Sequence, residues 1–122
     1  MTQRREVVLI EDDEGIREVI ELALSAAGYG VHLAANGADA LDIVARTNPQ
    51  LILLDLKMPV LDGREFARRY RSATTAPAPL VLLTAAEDPA AEAESMGADA
   101  YIAKPFDLDA LMDLIDAMSS RV

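Results

Sequence analysis

The stretch LILLDLKMP, residues 51–59, opens with four consecutive apolar residues and then delivers a carboxylate, Asp55. A continuously apolar run of that length is expected of a strand covered on both faces, as in a parallel sheet between two helical layers. The other short apolar runs fall at steady intervals, at 7–10 (VVLI), 31–34 (VHLA), 80–83 (LVLL) and 101–103 (YIA). VVLI and LVLL are as continuous as LILL, whereas VHLA alternates and suggests an edge strand.

Between these runs the apolar residues take helical spacing. Ile16, Val19, Ile20, Ala23, Leu24 and Ala27 form one stripe, and Gly28 suits the left-handed closure that follows it. Ala38, Leu41, Val44 and Ala45 repeat the pattern after Asn36-Gly37, and Phe66, Ala67 and Tyr70 give a shorter helix after Gly63. Asp88-Pro89 reads as a cap followed by proline at the first helical position, with Gly97 closing that helix. The last helix starts at the cap Asp107 and carries Leu108, Leu111, Met112, Ile115 and Met118 on one face. Strand and helix alternate throughout with short connections, so the crossovers are right-handed, the sheet is parallel and helices cover both sides. The predicted fold is a flavodoxin-like (βα)5 doubly wound sandwich with strand order 2-1-3-4-5, residues 1–122 forming one domain.

Composition agrees with a single core. The chain has 122 residues, 52% of them hydrophobic, enough to bury roughly two-thirds of its unfolded surface. With no cysteine, disulfides and thiolate metal sites are excluded, and a cytoplasmic location is expected. MTQRREVV runs from a short basic patch straight into a strand and does not resemble a signal peptide, and no apolar run is long enough to span a bilayer. A net charge of -10 argues against direct binding to nucleic acid or a membrane. The one candidate basic face, Arg64, Arg68, Arg69 and Arg71, reads as a solvated helix face balanced against an acidic protein. His32 has no companions at metal-ligand spacing and reads as structural.

In a doubly wound sheet the ligand site lies beyond the C-terminal strand ends, at the reversal of strand order. There the first strand delivers Glu11, Asp12 and Asp13, the third Asp55, the fourth Thr84 and the fifth Lys104-Pro105. Asp13 and Glu14 are first-turn charges favoured by the helix dipole. Strands 1 and 3 are neighbours about 5 Å apart in this order, so their acids should converge and repel unless protonated or bridged by a cation. An all-oxygen donor set that keeps several waters suits magnesium, with manganese as a substitute. A metal-held carboxylate can act as a nucleophile towards phosphorus, with a lysine and a hydroxyl receiving the phosphoryl oxygens.

As a set, these residues resemble the receiver domain of bacterial two-component response regulators, of the single-domain chemotaxis-regulator type, over essentially the whole chain. Glu11-Asp12 match the family's acidic pair, and Asp55-Leu56-Lys57-Met58-Pro59 with Asp62-Gly63 matches its phosphoacceptor segment. Thr84-Ala85 matches the switch threonine segment and Lys104-Pro105-Phe106 the lysine motif. The resemblance implies that Asp55 accepts phosphate from the phosphohistidine of a sensor histidine kinase or histidine phosphotransfer protein. It implies magnesium on Asp12, Asp55 and the Lys57 carbonyl, with Glu11 acting through a water. Lys104 would pair with Asp55 and then with the phosphoryl group, across a cis Lys104-Pro105 bond. Thr84 would swing to the phosphoryl oxygen and Tyr101 turn inward, remodelling the face of helix 4, strand 5 and helix 5, which could also mediate homodimers and contact an output protein. Kinase docking would use the rim at Gly15, Ile16, Pro105 and Phe106.

The segment from Thr84 to Lys104 is shorter than the family pattern, so the helix of Pro89, Ala90, Ala91 and Ala93 is expected to be short or mobile. Lys57 and Ala86 take the two variable positions beside the phosphoryl site, and Ala86 offers no group to orient a hydrolytic water. Slow autodephosphorylation is therefore expected. Other functions stay open from the residues alone. An aspartate-nucleophile phosphatase would usually carry a second acid where Lys57 stands, a nucleotide carrier would not offer three acids in its first loop, and an unphosphorylated scaffold would be expected to lose part of the set.

Overall fold

The computed structural model describes residues 5–55 and 62–119. Strands β1 (Glu6–Ile10), β2 (Gly30–Ala34), β3 (Leu51–Asp55), β4 (Leu80–Thr84) and β5 (Ala100–Ala103) form one sheet in the order β2-β1-β3-β4-β5, every neighbouring pair parallel. Each predicted strand is present, and each is longer by one residue at one end. Side chains alternate across the sheet. Val7, Leu9, Leu51, Leu53, Val81 and Leu83 meet helices α1 (Glu14–Ala26) and α5 (Leu108–Ser119) on one side. Val8, Ile10, Ile52, Leu54 and Leu80 meet α2 (Gly37–Thr47) and α3 (Gly63–Ala73) on the other, through Ala40, Val44, Phe66 and Tyr70. Helix α4 (Pro89–Met96) lies on this second side, where Met96 and Ala98 are only partly buried. The predicted doubly wound sandwich is the observed one.

The helix ends follow local chemistry. Asp13, Asn36, Asp62 and Asp88 each accept a backbone N–H from three residues on, capping α1 to α4. Helix α1 closes with paired bonds, Tyr29 N–H to the Leu24 carbonyl (3.0 Å) and Gly28 N–H to that of Ser25 (3.1 Å), which place Gly28 at φ 94°. Gly97, at φ 71°, ends α4 in the same way. A Cβ at Gly28 would meet nothing within 4 Å, whereas one at Gly97 would lie 2.9 Å from Nη1 of Arg71. Gly28→Ala is therefore expected to cost about 1 kcal/mol, for backbone strain alone, and Gly97→Ala more. Urea unfolding of the two variants checks the order.

Helix α2 ends on Asn48 in the left-handed region, at φ 50°. Two local readings change. Val19, assigned to the inner stripe of α1, is 50% exposed. The arginines of α3 are not one solvated face: Arg68 and Arg69 pair with Glu65 on their own helix, but Arg64 and Arg71 reach across to α4. Their partners lie far along the chain, where a helical-face reading does not extend. His32 stands against Glu6, Nε2 to Oε2 3.1 Å, in keeping with a structural role.

Candidate functional site

Register gathers the site. Ile10 pairs with Leu54 and Thr84 with Ala103, so Glu11, Asp55, Thr84 and Lys104 reach the same rim of the sheet from four strands. They line a cavity of about 540 Å³ together with Asp12 and Ala86.

Glu11 is 0% exposed and Asp55 6%, while Asp12 is open to solvent. One oxygen from each of these three carboxylates lies within 4.8 Å of the other two. Buried charge must be paired, and Lys104 supplies the pairing: its Nζ is 2.8 Å from Glu11 Oε1 and 3.5 Å from Asp55 Oδ1. The nearer partner is thus Glu11, where the family resemblance pointed to Asp55. The fully buried carboxylate takes the stronger hydrogen bond, and its second oxygen accepts the Asp13 N–H at 3.2 Å.

Burial, followed by the charge and hydrogen bonding of Glu11, pushes the Asp55 carboxyl up to about 7 against the pull of Lys104. For Lys104, burial works against the ammonium, but the Glu11 hydrogen bond and the two carboxylate charges outweigh it and hold the group above its ordinary range. Near neutrality the metal-free cluster thus retains a proton that a cation could replace. The donors are all oxygen and one is solvent-exposed, which fits a hard divalent ion that keeps waters.

Thr84 is 3% exposed, and its Oγ1 accepts the Ala86 N–H at 3.0 Å, which fixes the hydroxyl oxygen on the cavity wall. Lys104-Pro105 is cis, as the resemblance implied. Tyr101, on β5, is 43% exposed. A second hollow of about 600 Å³ adjoins the first through Asp13, Ile16, Ala85 and Lys104; Val19 lines it, together with Gly15, Ile16, Pro105 and Phe106, the four residues expected from the sequence to form a docking rim. Lys57 lies outside the described residues. Glu92, from α4, also lines the acceptor cavity. No pattern near it marks that role, because a charge on a short, weakly amphipathic helix reads as solvated.

Residues 7–116 match the family model of the response regulator receiver domain. The chain is 38% identical to the response regulator MprA of Mycobacterium sp. (strain KMS) over 117 residues, 94% of this chain and 50% of that protein. It therefore spans about half the length of the curated relatives it matches. Among solved structures it is similar to the chemotaxis response regulator CheY4 of Vibrio cholerae (TM-score 0.86, 28% identity, 95% of this chain and 99% of that one). It is also similar to the receiver domain of the sensor histidine kinase PA1611 of Pseudomonas aeruginosa PAO1 (TM-score 0.85, 32% identity, 97% and 99%), a structure with a magnesium ion coordinated in the active site cleft. Among the described residues no helix is long and apolar enough to cross a membrane. The acidic cluster, the lysine and the hydroxyl thus stand on the fold and within the sequence pattern of one family, and the chain belongs to the response regulator receiver domains.

Proposed function

We propose that this receiver domain is a phosphoacceptor switch whose acceptor is Asp55. The observation that carries the reading is the cluster of Glu11, Asp12 and Asp55 within 4.8 Å, backed by Lys104. A carboxylate oxygen of Asp55 attacks phosphorus as the P–N bond of a phosphohistidine breaks, and the electron pair stays with the donor's imidazole. The donor is a sensor histidine kinase or a histidine phosphotransfer protein, docked on the rim at Gly15, Ile16, Pro105 and Phe106.

Asp12, Asp55 and the Lys57 carbonyl hold magnesium, or manganese in its place. Both oxygens of Glu11 already accept hydrogen bonds, so it acts through a water. When bound, the ion neutralises charge on the phosphoryl oxygens. Lys104 moves its hydrogen bonding towards the phosphoryl group, and the Thr84 hydroxyl donates to another phosphoryl oxygen. Tyr101 then turns inward, changing the face of α4, β5 and α5 for an output protein or a second copy. Residues 1–122 act as one cytoplasmic signalling domain, with no direct contact to nucleic acid.

The test is intact-mass analysis after incubation with acetyl phosphate, with and without magnesium. A gain of one phosphoryl group that needs magnesium and vanishes in Asp55→Asn is the expected result. No gain by the folded, magnesium-bound wild type would count against the reading.

The lifetime of the phosphorylated form gives a further check. Ala86 brings no polar side chain to the cavity that could orient a water for hydrolysis, and Lys57, two residues after the acceptor in the sequence, adds a cation. Ala86→Glu is expected to speed dephosphorylation at least about tenfold, followed as the decay of the phosphorylated mass.

A further inference from the structure

Helix α4 is poorly anchored by apolar contacts. Among the described residues it buries only Ala93, whereas α3 buries Phe66, Ala67 and Tyr70. Between the two helices runs a groove of about 430 Å³, lined by Arg64, Arg68, Arg71, Ser72, Ser95 and Met96. Two arginines of α3 span it. Arg64 pairs with Glu92, and its Nη1 donates to Ser95 Oγ at 3.0 Å. Arg71 donates from Nη1 to the Met96 carbonyl (2.6 Å) and from Nη2 to the Gly97 carbonyl (2.5 Å). These are carbonyls that the closing bonds at Gly97 leave unused, at the negative end of the helix dipole, so a guanidinium fork is well matched to them.

Arg64 and Arg71 lie about two turns apart, on the same face of α3. One fastens the middle of α4 and the other its end. Glu92 belongs to both structures, because it is held by Arg64 and walls the cavity that contains Asp55.

We propose that α4 is docked to the domain by Arg64 and Arg71 in place of an apolar seam, and that Arg64 is a positioning residue that holds Glu92 at the acceptor cavity so that charge added at Asp55 loosens α4. Phosphorylation replaces a carboxylate of charge -1 at most by an acyl phosphate of roughly -1.5 to -2. The acyl phosphate repels Glu92 and competes with it for the guanidinium. The docking stands by itself; the coupling to Asp55 rests on the phosphoacceptor reading.

Amide hydrogen exchange on the whole chain tests both parts. Raised salt in the wild type, or Arg71→Ala, is expected to speed exchange of residues 91–97 about tenfold, with α1 and α5 unchanged. Arg71→Lys, which keeps the charge but loses the fork, should restore part of the protection. Unchanged exchange in α4 under both treatments would overturn the docking. Magnesium beryllofluoride, as the phosphoryl probe, should speed α4 exchange in the wild type but not in Glu92→Gln. An equal response in the two proteins would overturn the coupling. A wild type that fails to bind the probe would overturn the phosphoacceptor reading and the coupling with it, and the salt and Arg71 arms would still decide the docking.

Discussion

Lys104→Met is expected to cost the metal-free domain about 3–5 kcal/mol at pH 8. The substitution keeps most of the side chain's length but takes away the ammonium that stands 2.8 Å from Glu11, fully buried, and 3.5 Å from Asp55, nearly so. A domain of this size has about 5–15 kcal/mol in total, so the urea midpoint should fall steeply. The loss should shrink as the pH drops through 7, where Asp55 takes up a proton. The lysine's own titration has the opposite sign. Its pKa is raised on folding, so its contribution is complete below the unfolded value of about 10.4 and fades only as the pH climbs through the raised one. Adding Glu11→Gln to Lys104→Met should recover much of the stability, because both members of the pair are then neutral. A single variant that unfolds at the wild-type urea concentration would rule out a structural role for the pair.

The second large effect runs the other way. Asp55→Asn should make the metal-free protein more stable at pH 8, by about 2–4 kcal/mol. The Asp55 carboxyl lies at about 7 in the folded domain against an ordinary 3.8, so the native state binds more protons than the unfolded chain between those values. Stability is therefore lost as the pH rises from about 4 to 7, and the full penalty applies above that window. Asparagine removes it, and the difference between the two proteins should close near pH 4. Magnesium should stabilise the wild type and leave the variant unmoved, since an ion bound only by the native state adds to its stability. Urea melts at pH 5 and pH 8, each with and without magnesium, separate these contributions. A variant less stable than the wild type at pH 8 would show that ionised Asp55 helps hold the fold.

Both effects concern residues that the sequence already marked, and the reason is local. LILLD and LVLLT carry their own strand signal, and the residue that ends each strand must fall on the rim once the strands are parallel. The cap residues Asp13, Asn36, Asp62 and Asp88 act within three positions of themselves, so their role is written nearby. What the sequence hid depends on distance in the chain. Nothing near Arg64 or Arg71 announces Glu92 or the carbonyls of Met96 and Gly97, and nothing near Lys104 ranks Glu11 above Asp55 as its partner. Val19 obeys the period of its helix and is still half exposed, on the wall of the second hollow. The left-handed Asn48 shows how asparagine can stand where glycine is expected, a substitution that spacing alone does not reveal.

The rim has a consequence for the life of the chain during synthesis. Residues 11, 55, 84 and 104 come together only after β5 has paired with β4, the last strand pairing to become available as the polypeptide emerges. A nascent or truncated chain, however well its first three strands have formed, has the acids without the lysine that compensates them. On the phosphoacceptor reading, such a chain has no finished site to present to a phosphodonor until its fifth strand has paired.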